Sequence, residues 1–143
     1  MGNNLYSKVY EEIVASIEQK GLKFKHKKRM SKLALAYYDV DNGNIAIREE
    51  LAKTKMGCLC LSHELNHFTD HSLGLFPEFY NNEFYSGSRI EAVEIILCAE
   101  FSAYQLPKKI FSKNGFRIDN VPQFSKKWLR DNYSETWVEY FNL

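Results

Sequence analysis

His63-Glu64-Leu65-Asn66-His67 places two imidazoles four residues apart with a carboxylate between them. On a helix, residues i and i+4 share a face about 6 Å apart along the axis, so both rings can reach one ion. Zinc takes such nitrogen donors at about 2.0–2.1 Å. Glu64 follows His63 directly and so points about 100° away, beside the ion rather than at it. From there a carboxylate can act as general base on water whose pKa zinc has lowered toward about 7. The expected ligands are therefore His63 and His67, with Glu64 as the catalytic base and Zn2+ as the cofactor.

A third ligand must come from elsewhere in the chain. No glycine and later histidine extend the motif at the spacing that would supply it, because His67 is followed by Phe-Thr-Asp-His. His71 lies about 12 Å along the axis from His63 if the helix continues, too far to share its ion. A second helix is expected at about 88–106, SRIEAVEIILCAEFSAYQL, closed by Pro107. In it Val93, Ile96, Leu97, Ala103 and Tyr104 form an apolar arc with Glu100 in the middle, Glu94 at the edge and Glu91 outside. A carboxylate within a buried arc needs a positive partner, since an unpaired buried charge is very costly. A bound cation would serve, as would Arg89. Glu100 is the favoured third ligand and Glu94 the alternative.

The elements that must hold these residues can be read from periodicity. TKMGCLCLSHELNHFTDHS, about 54–72, reads as a helix apolar on most sides, with Gly74 and Pro77 past its end. Leu61, Leu65 and Phe68 share one side with Cys58, and the two histidines lie opposite. Leu5, Val9, Ile13 and Ile17 recur every four residues, predicting an amphipathic helix over 4–19 that stops at Gly21. Two strands, about 33–40 and 44–48, flank Asn42-Gly43, a pair suited to a tight hairpin turn. Residues 20–32 carry seven basic side chains and no acidic one, and read as a solvated loop. The segment 75–87 is an aromatic loop, and 108–143 is an aromatic, basic tail with one or two short helices expected. Asn66 and Asp70 are placed to orient an imidazole through its second nitrogen. Tyr80, Tyr85 or Tyr104 is a candidate donor to a developing oxyanion by residue type alone. Cys58, Cys60 and Cys98 read as small core residues.

The motif, with a later Glu100-Phe-Ser-Ala103, resembles the zincin metallopeptidases of the gluzincin branch, which hold zinc with two histidines and one glutamate. Within that branch the chain is most similar to small ImmA/IrrE-type peptidases of phage and mobile elements. Those place a strand just before the motif helix, as Ile45-Ala46-Ile47 stands here, and end the ligand helix much as Leu106-Pro107 does. The likeness spans roughly residues 32–107. It implies zinc on His63, His67 and Glu100, and an extended peptide paired along a sheet edge, for which 44–48 is the candidate strand.

Composition narrows the remaining classes. A chain of 143 residues with 45% hydrophobic residues suits one globular domain over 1–143. Its 19 basic and 18 acidic residues give a net charge of +1, which does not favour nucleic acid as a partner. No stretch approaches the ~18 apolar residues of a membrane span. The opening MGNNLYSKVYEEIV lacks the apolar core of an export signal, and three cysteines suit a reducing compartment, so a cytoplasmic location is expected. The expected fold is α+β, a minimal zincin-like arrangement of helices on a small antiparallel sheet. Its expected function is zinc-dependent hydrolysis of a peptide bond in an extended peptide or protein substrate. The alternative is a zinc-stabilised module that binds protein or nucleic acid and no longer cuts.

Overall fold

The computed structural model describes residues 2–30, 35–81 and 89–117. Its central element is helix α2, Lys55–Ser72, which carries the whole histidine motif. Thr54 caps it: the hydroxyl oxygen accepts from Gly57 N–H (3.0 Å) while the hydroxyl donates to the Leu51 carbonyl (2.7 Å). Cys58, Leu59, Leu61 and Leu65 enter the core from α2. They meet Val9, Ile13 and Ile17 of α1, Gly2–Gln19, on one side and Ile45 and Ile47 of the sheet on the other. The four-residue stripe predicted for α1 is therefore its buried face, except that Leu5, near the helix start, stays exposed.

Three strands follow α1 in the order β1-β3-β2 across the sheet. β2, Ala36–Asp39, and β3, Asn44–Arg48, form the expected antiparallel hairpin, with Tyr38 opposite Ile45. The turn between them has Gly43 at φ +63° and the Asp39 carboxylate accepting from the backbone N–H groups of Asp41 and Asn42. The start of the first predicted strand, 33–34, lies outside the described residues.

Two expectations are corrected here. The basic run is not a loop: Lys23–Lys27 is strand β1, paired parallel to β3, so the sheet is mixed rather than antiparallel. Its charges hide the strand: half-buried Phe24 and exposed His26 share the face that meets Tyr10 of α1, His26 Nε2 lying 2.8 Å from the Tyr10 hydroxyl. With β1 in place, β3 becomes the central strand. Asn44 through Ile47 are all buried, and 44–48 is not a sheet edge.

Beyond α2 the described part of the aromatic loop, 75–81, includes a short helix, α3, Pro77–Tyr80, and its remainder lies outside the described residues. α4, Arg89–Ser102, ends four residues earlier than expected, and α5, Gln105–Asn114, follows after a turn at Ala103-Tyr104. Pro107 therefore opens α5 rather than closing α4. In a first turn its missing N–H costs nothing, because that donor has no partner within the helix. Phe111 of α5 is buried against Phe116, which also packs on Tyr6 of α1. Most of the predicted tail, including Trp128 and Trp137, lies outside the described residues. The class is α+β, as expected, and among the described residues no helix is long and apolar enough to cross a membrane.

Gly57 shows how tightly α2 is seated. A Cβ there would stand 2.0 Å from the Leu51 carbonyl oxygen and 3.2 Å from the Tyr10 ring. Gly→Ala in a helix normally helps by up to ~1 kcal/mol. Gly57→Ala should instead destabilise the protein by about 1–3 kcal/mol, read as a lowered urea midpoint at unchanged m-value.

Candidate metal centre

The one-turn spacing on α2 sets His63 and His67 edge to face, ring centroids 4.6 Å apart and Nε2 atoms 3.1 Å apart. α4 crosses this face and brings Glu100 to both rings, Oε2 at 3.0 Å from His63 Nε2 and Oε1 at 3.4 Å from His67 Nε2. Of the acidic residues weighed as third ligand, Glu100 is thus the one seen beside the histidines. The side chains of Glu91, Glu94 and Arg89 lie outside the described residues.

These separations meet a simple test of fit. Tetrahedral zinc with bonds of about 2.0–2.2 Å holds its ligand atoms roughly 3.3–3.6 Å apart. The two imidazole nitrogens, 3.1 Å apart, and the Glu100 oxygen nearest each of them, at 3.0 and 3.4 Å, lie within a few tenths of an ångström of that. Two imidazoles and one carboxylate are a zinc-type set. His71 is excluded, as the helix geometry requires: its Nδ1 bonds the Tyr38 hydroxyl at 2.8 Å.

Burial governs the charges. It presses His63 toward the neutral ring, and His67 adds to that; the Glu100 carboxylate only partly compensates, leaving the pKa lowered. Burial also opposes charge on His67, but Glu100, with Glu64 and Asp70 behind it, outweighs it and raises the pKa. Burial would lift Glu100 too, yet His67 and the hydrogen bonds from both imidazoles hold it far below the usual carboxylate range. In this cluster Glu100 is the anion and His67 the ring that keeps a proton. A cation bound by all three would take over that proton's role.

Glu64 stands beside the triad, partly buried. Burial is the largest influence and pushes its carboxyl up to about 8. It accepts a hydrogen bond from the backbone N–H of Tyr38. The hairpin register explains why that donor is available. Arg48 N–H donates to the Leu35 carbonyl (3.0 Å), so by antiparallel alternation Ala36 and Tyr38 turn their backbone groups away from β3. The edge that borders α2 is therefore β2, not β3.

Three further expectations change. Asn66 and Asp70 do not touch an imidazole. Asn66 Oδ1 accepts from Leu106 N–H (2.7 Å), and its amide donates to Asp70 (3.2 Å), which also accepts from the Ser102 hydroxyl (2.8 Å). They tie α2 to the α4–α5 turn. Tyr80, expected as an oxyanion donor, has its hydroxyl 2.8 Å from His67 Nδ1, and burial first, then Asp70, raises its pKa. Tyr104 packs its ring on His63 at 4.2 Å, and Tyr85 lies outside the described residues. Cys58 and Cys60 are buried, their thiols pushed up to about 12 by burial, but Cys98 is exposed rather than core. The roles of Tyr38 and Tyr80 escaped the sequence because contacts 26 and 13 residues away from the motif leave no periodic trace.

The raised Glu64 carboxyl gives a sign to the pH dependence of the metal-free protein. Its pKa rises from 4.5 to about 8 on folding, so native Glu64 holds its proton more tightly than the unfolded chain does. Stability attached to this group is full below pH 4.5 and lost as pH climbs toward about 8, at ~1.4 kcal/mol per pH unit at most. Metal-free Glu64→Gln should lack that loss and melt above the wild type at pH 8, with the gap closing by pH 4.5, in paired thermal melts. Compared with protein-family models, with curated proteins and with solved structures, the chain gives no match in any of the three.

Proposed function

We propose that this protein is a zinc-dependent peptidase of the zincin type, gluzincin-like in its ligand set, cutting a peptide bond in an extended substrate. The observation that carries the reading is the convergence of His63 Nε2, His67 Nε2 and the Glu100 carboxylate at one buried point, with Glu64 beside it and not part of it. A purely structural site has no use for a second carboxylate that is not a ligand. The likeness to ImmA/IrrE-type peptidases rests on the motif and on the glutamate that α4 supplies.

His63, His67 and Glu100 would hold the ion. Zinc there supplies a Lewis acid that polarises a peptide carbonyl and makes water acidic enough to attack it at neutral pH. Glu64 takes the proton from the attacking water and returns it to the departing amine nitrogen. A cation held by His63, His67 and Glu100 would favour the ionised form of Glu64, the form that acts as a base. The Tyr38 N–H favours the ionised Glu64 carboxylate, the form a base needs. Because Tyr38 lies on the outward edge of β2, the strand that steadies the base is also the one along which an extended peptide would pair.

A non-cutting binding module is the second reading, and one observation favours it. Lys23, Lys25 and Lys27 alternate along β1 on the sheet's outer face, and none of them forms an ion pair among the described residues. The intact Glu64 weighs against it.

Purified protein should contain one zinc per chain by elemental analysis, lost in Glu100→Ala and kept in Glu94→Ala. Glu64→Gln should keep the zinc and lose at least ~100-fold in cleavage of a peptide library. A metal-free wild type, or full cleavage by Glu64→Gln, would sink the proposal. Salt-sensitive binding of nucleic acid without cleavage would point to the module instead.

A further inference from the structure

We infer that Tyr80 is a positioning residue for the metal centre, deciding which nitrogen of His67 is free to take an ion. The inference rests on the metal-binding reading of the site. A neutral imidazole carries one proton. If it sits on Nε2, the nitrogen that faces His63 and Glu100 has no lone pair to give. If it sits on Nδ1, Nε2 is free. The Tyr80 hydroxyl oxygen lies 2.8 Å from Nδ1 and both residues are buried. In the metal-bound form, with Nε2 given to the ion, the ring proton is on Nδ1 and the hydroxyl oxygen is the acceptor that holds it there.

Nothing else described competes for that role. Asp70, the acidic group one turn further along α2, is engaged by Asn66 and Ser102. His63 has no side-chain partner of this kind: its Nδ1 meets no hydroxyl or carboxylate, the Ala103 backbone favours its protonated form, and its ring packs on Tyr104. The two ligands are thus fixed by different means, His67 by a side-chain hydroxyl and His63 by backbone and ring contact.

The chain goes to some trouble to deliver the phenol. Tyr80 ends the four-residue helix α3, whose preceding residue, Phe76, is held at φ +50° and ψ +53°, a conformation that non-glycine residues rarely adopt. The Tyr80 ring is stacked on His71 at 5.0 Å and lies edge-on to Phe79 at 5.0 Å, and Phe79 in turn stacks on His67 at 5.7 Å. The strain at Phe76 is sustained by this aromatic contact set, and its result is one oxygen at one ring nitrogen.

The test compares zinc affinity, by chelator competition, in the wild type, Tyr80→Phe and Tyr10→Phe. Tyr10→Phe removes a second tyrosine–histidine hydrogen bond of the same 2.8 Å length, far from the triad, and so controls for loss of such a bond in general. Tyr80→Phe should bind zinc about 10–100-fold more weakly, and Tyr10→Phe within about twofold of wild type. In the zinc-loaded wild type, the His67 Nδ1–H proton should give a slowly exchanging NMR signal that Tyr80→Phe loses. Equal affinity in Tyr80→Phe, or a freely exchanging Nδ1–H in the wild type, overturns the inference, and the second holds even if the variant fails to fold. Absence of zinc binding in the wild type overturns the metal reading and this inference together. Zinc binding without peptide cleavage overturns only the peptidase reading, and the affinity ratio still decides for or against Tyr80.

Discussion

An ionised carboxylate in a protein interior must be matched by positive charge or hydrogen bonds, and Glu100 is matched by two imidazoles from one face of α2. That pairing sets the demands on the rest of the structure. It requires α2 and α4 to cross at one place, and it requires the histidines to be buried there with their Nε2 atoms turned toward α4. Unpairing one member would strand the others, a far greater cost than loss of a surface ion pair. The cluster is therefore a structural joint between α2 and α4.

Around the joint, α2 is braced on three sides. The Asn66-Asp70-Ser102 links and the Asn66–Leu106 bond attach it to the α4–α5 turn. The Tyr38–His71 bond and the Tyr38 N–H to Glu64 attach it to the edge of β2. Leu61 and Leu65 fix its opposite face in the apolar core. Together the braces span α2 from Leu61 to His71, so rotation about the helix axis is opposed along that length. The imidazole nitrogens and carboxylate oxygens can keep separations of 3.0–3.4 Å only if the helices that carry them do not roll.

Much of this was legible in the residue order where periodicity was strong. The α2 boundaries, the buried face of α1 and the turn at Asn42-Gly43 follow from spacing and capping alone. Glu100 was legible because a carboxylate in the middle of an apolar arc needs a reason. β1 was not, since five positions containing three lysines look solvated until Tyr10 arrives from α1 to receive Phe24 and His26. That in turn concealed the central place of β3. Pro107 misled for a related reason: a proline fits both just past one helix and in the first turn of the next, and only tertiary contact decides between them. Asn66 and Asp70 had the right positions to serve the imidazoles, but the α4–α5 turn offered them partners in closer reach.

The early end of α4 has an electrostatic consequence. Peptide dipoles aligned along a helix sum to roughly half a negative charge at its C-terminus, falling off within the last turn. Glu100 lies in that last turn, two residues before Ser102, and the Ala103 backbone already favours a protonated His63. Had α4 run on to 106, that partial charge would lie about one turn beyond the triad. By stopping where it does, the helix adds its own negative pole to the carboxylate's and deepens the potential well that a dication would enter.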